Sequence, residues 1–303
     1  MIGLTDFITE GCWEDVFIHW YILVDDAYTG LERLLGPIRR RGPEPQFTDS
    51  EVITVGLIID TWFGGDEAKG LAFVRQYHGD LFPNLPPNGH FNARRQALRL
   101  TLEQVRRYLL YSFGLTSGED FHRVIDSAPV PVCQYGRAAR CQTIAGPEYV
   151  GTISVKKARF FGFRLQATVT LNQVIDDWML APGGRKDGKM MAALLEDAQD
   201  LVIFGDNAYH DTAEAGLLKH KRNIQIWAVP RKDSQWPWPG AFKAWVKRLR
   251  LRIETAFSVL TTVFRIDHPG SRSLSGLVTR VASRILAYTL CFLTAPLFAL
   301  GEL

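Results

Sequence analysis

Three acidic residues far apart in the chain each adjoin an apolar run. Asp126 lies in RVIDSAPV, Asp206 ends LVIFGD, and Glu254 sits in LRLRIETAFSVL. Three carboxylates gathered within a few ångströms repel one another by about 4 kcal/mol per close pair at an effective dielectric near 20. A divalent cation removes that penalty, and a donor set made only of oxygens favours magnesium or manganese over zinc. Two such ions about 4 Å apart activate a water or a 3′-hydroxyl on one side and stabilise the leaving oxygen on the other, which is the chemistry of phosphodiester hydrolysis and strand transfer. Each acid also has an ordinary reading. Glu254 can pair with Arg250 one helical turn earlier, worth about 0.2–0.5 kcal/mol. Asp206 can start a turn or cap the next helix. Asp126, inside an apolar strand, needs a partner in either case, because burying a lone carboxylate is costly.

The elements that must carry these acids are legible from periodicity. Leu249, Ile253, Ala256, Phe257, Leu260 and Phe264 recur at three- and four-residue steps, which predicts a helix with one buried face and Glu254 at its edge. Val124, Asp126 and Ala128 fall on one side of a strand that Pro129 and Pro131 end or place at an edge. Leu201 to Asp206 reads as a short apolar strand followed by a helix from about Thr212 to Arg222, so Asp206 takes a strand carboxyl end, where open α/β sheets bind ligands. FFGFRLQATVTL alternates apolar and polar residues, and VIDDWML after Asn172 completes a predicted hairpin with one polar face. Asp187 is expected to cap a helix bearing Met190, Met191, Leu194, Leu195 and Ala198. IQIWAVP is the next strand, and RKDSQWPWPGAFKAW is a non-regular connection. Its Trp236 and Trp238 either pack on the domain surface or stack on an unpaired base.

Residues 1 to about 110 show no sustained two-residue alternation and read as helical. Thr48 and Glu51 form a capping box opening a helix that Gly64 and Gly65 close. After LFPNLPPNGHFNARRQALRL, a helix turns Phe91, Leu98, Leu102, Val105 and Leu109 inward and carries Arg94, Arg95, Arg99, Arg106 and Arg107. These arginines are either a solvated face or a helix-turn-helix-like phosphate-binding surface, with Arg39, Arg40 and Arg41 as a second, loop-borne patch. A chain of 303 residues, 47% hydrophobic, buries a substantial core, and a net charge of only +3 leaves nucleic-acid affinity to such local patches. Four cysteines without close pairing argue against a disulfide framework, and the N-terminus has no secretory pattern. The uncharged run from Ile285 to Leu300 is sixteen residues long and contains Pro296. That is short of the roughly 20 a bilayer requires. A buried terminal helix is expected there.

Taken together, VIDSAPVPVC, FFGFRLQ, the APGG segment reaching Asp187, FGDNAY and RLRIETAFSVL resemble, in order and approximate spacing, the DDE transposases of bacterial insertion sequences, and most of all the group numbered nine-eighty-two. The resemblance covers nearly the whole chain. It implies an α/β protein with a helical DNA-binding region over residues 1–115 and an RNase H-like mixed-sheet catalytic domain flanked by helices over 116–303. By the same resemblance Asp126, Asp206 and Glu254 hold two Mg2+ or Mn2+ ions; 80 residues separate the first pair and 48 the second. Arg250 would contact phosphate near the cut. Arg94, Arg95, Arg99, Arg164, Lys247, Trp236 and Trp238 are further candidate DNA contacts. The implied partners are terminal inverted repeats and target DNA, with a homodimer or larger assembly on DNA, no membrane, and a cytoplasmic, nucleoid-associated location. Lys247, Thr261, Asn207 and Gln166 depart from the residues common at their positions, which are tyrosine, a basic residue, lysine and histidine. Two other functions remain open on these residues: an RNase H-like nuclease that cuts without joining, and a DNA-binding protein descended from a transposase and no longer catalytic.

Overall fold

The computed structural model describes residues 13–38, 42–43, 45–116, 121–153, 158–210, 212–230, 234–235 and 237–299. Arg39, Arg40, Arg41 and Trp236 lie outside them. In chain order the main elements are α1 (Trp13–Leu35), α2 (Asp49–Trp62), α3 (Glu67–Tyr77), α4 (Asn88–Ala97), α5 (Arg99–Ser112), β1 (His122–Gln134), β2 (Val150–Ile153), β3 (Ala158–Thr170), β4 (Ile175–Pro182), α6 (Met191–Leu194), β5 (Val202–Gly205), α7 (Thr212–Arg222), β6 (Gln225–Ala228), α8 (Gly240–Thr262) and α9 (Leu274–Ala299). They form two compact units, one of residues 114–261 and one that joins residues 1–113 to 262–303. The protein is thus α/β, with helices first and then a mixed sheet with flanking helices. The C-terminal helix departs from the expected grouping, because it packs with the N-terminal helices α2 and α5.

The helical unit shows why its pieces form. The side chain of Thr48 accepts from the backbone N–H of Glu51, whose carboxylate accepts from the N–H of Thr48, so the expected capping box starts α2. Val52, Val55, Ile58 and Ile59 of α2 are fully buried. The helix expected to run through Arg94 to Leu109 is instead two, α4 and α5, broken at Leu98. Phe91, Leu98, Leu102, Val105 and Leu109 nevertheless all point inward, as their spacing predicts. α9 contains the one stretch among the described residues, Leu274–Thr294, that is long and apolar enough to span a membrane by length and composition, and 67% of that window is buried within the protein. Its Arg284 is itself buried and donates to the carbonyls of Arg265 and Gly64, which satisfies helix-end and turn acceptors from inside the unit.

In the second unit β3 is paired along both edges. β1 pairs with it antiparallel along one edge, and the other edge is shared end to end by β2, opposite Ala158 to Phe161, and β4, opposite Phe163 to Val169. β5 continues the sheet parallel to β1, and β6 parallel to β5. The sheet is thus mixed, as the resemblance implies. β3 was expected to keep one polar face, yet from Phe160 to Thr170 only Arg164 is not buried. A strand paired on both edges and covered on both faces has to satisfy its polar groups internally. Thr168 Oγ1 accepts from the N–H of Asp177, Thr170 Oγ1 accepts from that of Val174, and Gln166 is bonded at both ends of its amide.

Candidate active site

Val124 of β1 stands opposite Phe204 of β5 in the parallel register. Asp126 and Asp206 each follow this pair by two residues, Asp126 still within β1 and Asp206 just past the end of β5, close enough for Asp126 to feel the charge of Asp206. Beneath them Ile125, Ile203, Tyr209, Leu218 and Ile224 form a buried cluster with Met191, Leu194 and Leu195, which fixes both strands against α6 and α7. Asp126 accepts a hydrogen bond from the N–H of Ser127 through Oδ1 and from Arg250 Nη2 through Oδ2, at 2.8 and 3.2 Å. Burial nevertheless dominates and pushes its carboxyl up to about 6, the nearby charge of Asp206 adding to the rise and Ser127 and Arg250 offsetting part of it. Asp206 begins a short 3-10 turn, its Oδ1 accepting from the N–H of Ala208 at 2.7 Å.

α8 supplies the other side. Val246, Ile253, Ala256 and Leu260 are its buried face, with Leu249 and Phe257 half-buried, close to the stripe read from the sequence. Arg250 projects to Asp126 and lies 4.0 Å from Glu254 Oε1, while Glu254 remains 53% exposed. The structure therefore brings Asp126 and Asp206 together and puts a guanidinium, not the third carboxylate, next to Asp126. Among the described residues no three carboxylate, histidine or cysteine side chains are gathered closely enough to hold one metal ion. The donor chemistry suits a hard divalent cation at the two aspartates. Glu254 is one turn removed, across Arg250.

The remaining sequence-read contacts have differing surroundings. Arg94 donates to the Phe47 carbonyl and to Asp49, and Arg95, 4% exposed, donates to Asp60 and Glu67. These two arginines are internal counter-charges of the helical unit, which corrects the reading of a continuous phosphate-binding face; Arg99 is the one of the three that is exposed. Arg164 is half-buried and gives its guanidinium to the carbonyls of Thr152 and Gly183, tying β2 and the end of β4 to β3. Trp238 packs edge-on against Phe242, ring centroids 4.9 Å apart, and beside Trp227, so surface packing accounts for it. Lys247 is exposed on α8.

One group, Tyr209, escaped the sequence reading, and Gln166 and Asp187 have roles other than those read there. Tyr209, fully buried three residues after Asp206, donates its hydroxyl to Gln166 Oε1 at 2.7 Å, and the Gln166 amide donates to Asp187. Asp187 therefore serves Gln166 and not the helix N-terminus it was expected to cap. Gln166 is opposite Ser127 in the β1–β3 register, so this strut ties the Asp206 turn to the strand bearing Asp126. Burial raises the Tyr209 hydroxyl well above its ordinary range, and the charges of Asp187, Asp126 and Asp206 raise it further, so it stays a proton donor. The Asp-x-x-Tyr spacing was the available signal, but a tyrosine in a turn does not announce its partner. Tyr209→Phe should cost about 1–3 kcal/mol, the penalty for leaving the Gln166 carbonyl buried without a donor. Urea unfolding checks this, and unchanged stability would show that the strut is dispensable for the fold.

Comparison with known proteins adds an independent finding. A family model described as the transposase DDE domain matches residues 118–290. No curated protein matches the chain. Among solved structures, the Mos1 transposase paired-end complex with left transposon end is matched at 13% identity over 84% of this chain and 96% of that chain, with a TM-score of 0.20. A score so low carries no structural argument.

Proposed function

Because the chain belongs to the transposase DDE domain family, we propose that it is an insertion-sequence transposase which binds the terminal inverted repeats of its element, cleaves beside them and joins the 3′ ends to target DNA. The observation that supports this most directly is the pair formed by Asp126, within β1, and Asp206, just past the end of the parallel neighbour β5, faced by Arg250 on α8. In this reading Asp126 and Asp206, with Glu254 as third carboxylate, would hold Mg2+ or Mn2+, whose chemistry is to activate the attacking oxygen and stabilise the leaving one. Asp126 must be ionised to serve, so its raised carboxyl makes protons compete with the metal as pH falls toward 6. Arg250 is suited to trade its bond to Asp126 for one to the scissile phosphate, since a guanidinium matches phosphate geometry. A dimer or larger assembly on DNA belongs to the same proposal.

The exposed, offset Glu254 favours one competitor, a DNA-binding descendant without catalysis. Labelled terminal-repeat DNA incubated with Mg2+ or Mn2+ decides between them. The wild type is expected to nick the repeat end and to yield joined products with target DNA, and Asp206→Asn and Glu254→Gln are each expected to lose nicking. Nicking that survives both substitutions would remove this site from the mechanism. Nicking without joined products would reduce the protein to a nuclease.

A further inference from the structure

One groove of the sheet unit has no assigned role. It has a volume of about 710 Å³, is lined by Arg164, Arg185, Lys186, Asp187, Lys189 and Asp206 among others, and is bordered by none of Asp126, Arg250 or Glu254. It reaches Asp206, and no described residue of α8 lines it. Of its four cations Arg164 is engaged by the carbonyls of Thr152 and Gly183, and both of its carboxylates are engaged too, Asp187 by Gln166 and Asp206 by the N–H of Ala208. Arg185, Lys186 and Lys189 are exposed, yet the loop that presents them is ordered by its own backbone. The N–H groups of Gly183 and Gly184 donate to Gly162 and Glu148, that of Arg185 to Pro182, and that of Lys189 to Lys186. Closely spaced cations on a fixed loop suit a chain of phosphates better than a single small anion.

We propose that this groove holds the phosphodiester backbone of one DNA strand as it leaves the Asp126–Asp206 pair, with Arg185 and Lys186 as its phosphate contacts. The groove is too small for a duplex. The assignment rests on the transposase reading above and adds to it a strand path and two contact residues.

The test is binding of a single-stranded oligonucleotide and of a blunt duplex of equal length, measured by fluorescence anisotropy over a range of salt in EDTA, so that no cleavage intervenes. Each lost contact to a single strand removes roughly 0.7 from the log–log salt slope. Arg185→Gln with Lys186→Gln should therefore flatten the single-strand slope by about 1.4 and change the duplex slope much less, with circular dichroism unaltered. A wild-type single-strand slope retained by the double variant overturns the groove assignment and leaves the transposase reading intact. An equal flattening with both probes overturns the single-strand path. A wild type without salt-dependent DNA binding overturns the transposase reading first, and the groove with it.

Discussion

Asp126→Asn is expected to abolish DNA cleavage and, at the same time, to stabilise the protein at pH 8. The carboxyl titrates at about 6 in the folded chain against an ordinary value of 3.8. Below both values the folded and unfolded chains each hold the proton. Between them the folded chain keeps a proton that the unfolded chain has released, so stability falls as pH rises through this window. Above about pH 6 the ionised carboxylate is a cost of roughly 3 kcal/mol at most, from about two units at 1.36 kcal/mol each. Asparagine keeps one acceptor oxygen in place of two, for Arg250 or for the N–H of Ser127, and carries no charge. It should recover about 1–3 kcal/mol at pH 8 and less at pH 5. Urea unfolding of both proteins at the two pH values, in EDTA, measures the difference, and an equal gain at both pH values would show that ionisation is not its source. A residue that lowers stability where it acts is the pattern expected of a functional carboxylate held for its chemistry.

The second large effect concerns the helical unit. Arg95→Ala should destabilise it by about 3–5 kcal/mol, because removing one partner leaves buried charge uncompensated. Asp60, whose side chain is 0% exposed, is paired with this guanidinium, and Glu67 shares it with Asn92 and Arg280. Arg99→Ala, at an exposed position of the same stretch, should stay within about 0.5 kcal/mol of wild type. Guanidinium unfolding of the two variants separates the roles that adjacent arginines play. If Arg95→Ala unfolds with the wild type and instead weakens DNA binding, Arg95 belongs to a phosphate-binding face after all.

Sequence alone had no means of telling Arg95 from Arg99. Both are arginines near a helix boundary, four residues apart, and spacing reports which positions share a face, not which acid from another helix waits there. The same limit applied to β3. Its alternation was real, but two paired edges and two covered faces turned the expected solvent-facing row of Gln166, Thr168 and Thr170 into internal hydrogen-bonding groups. It applied again to Asp187, read as a helix cap and found serving an amide two strands away in the sequence.

What the sequence by itself determined is local. Thr48 and Glu51 cap a helix because their reciprocal bonds close within four residues. Ile253, Ala256 and Leu260 are buried because a 3.6-residue period puts them on one stripe. Asp206 ends its strand because an apolar run stops at Gly205. Tertiary structure decided how these pieces meet: that β1 and β5 run parallel and set two aspartates 80 residues apart side by side, that Arg250 reaches Asp126 ahead of Glu254, and that the last helix packs with the first ones. The physical reason is range. Capping and periodicity are satisfied within a few residues, whereas a charge seeks the nearest opposite charge in space, and only the folded chain defines which that is.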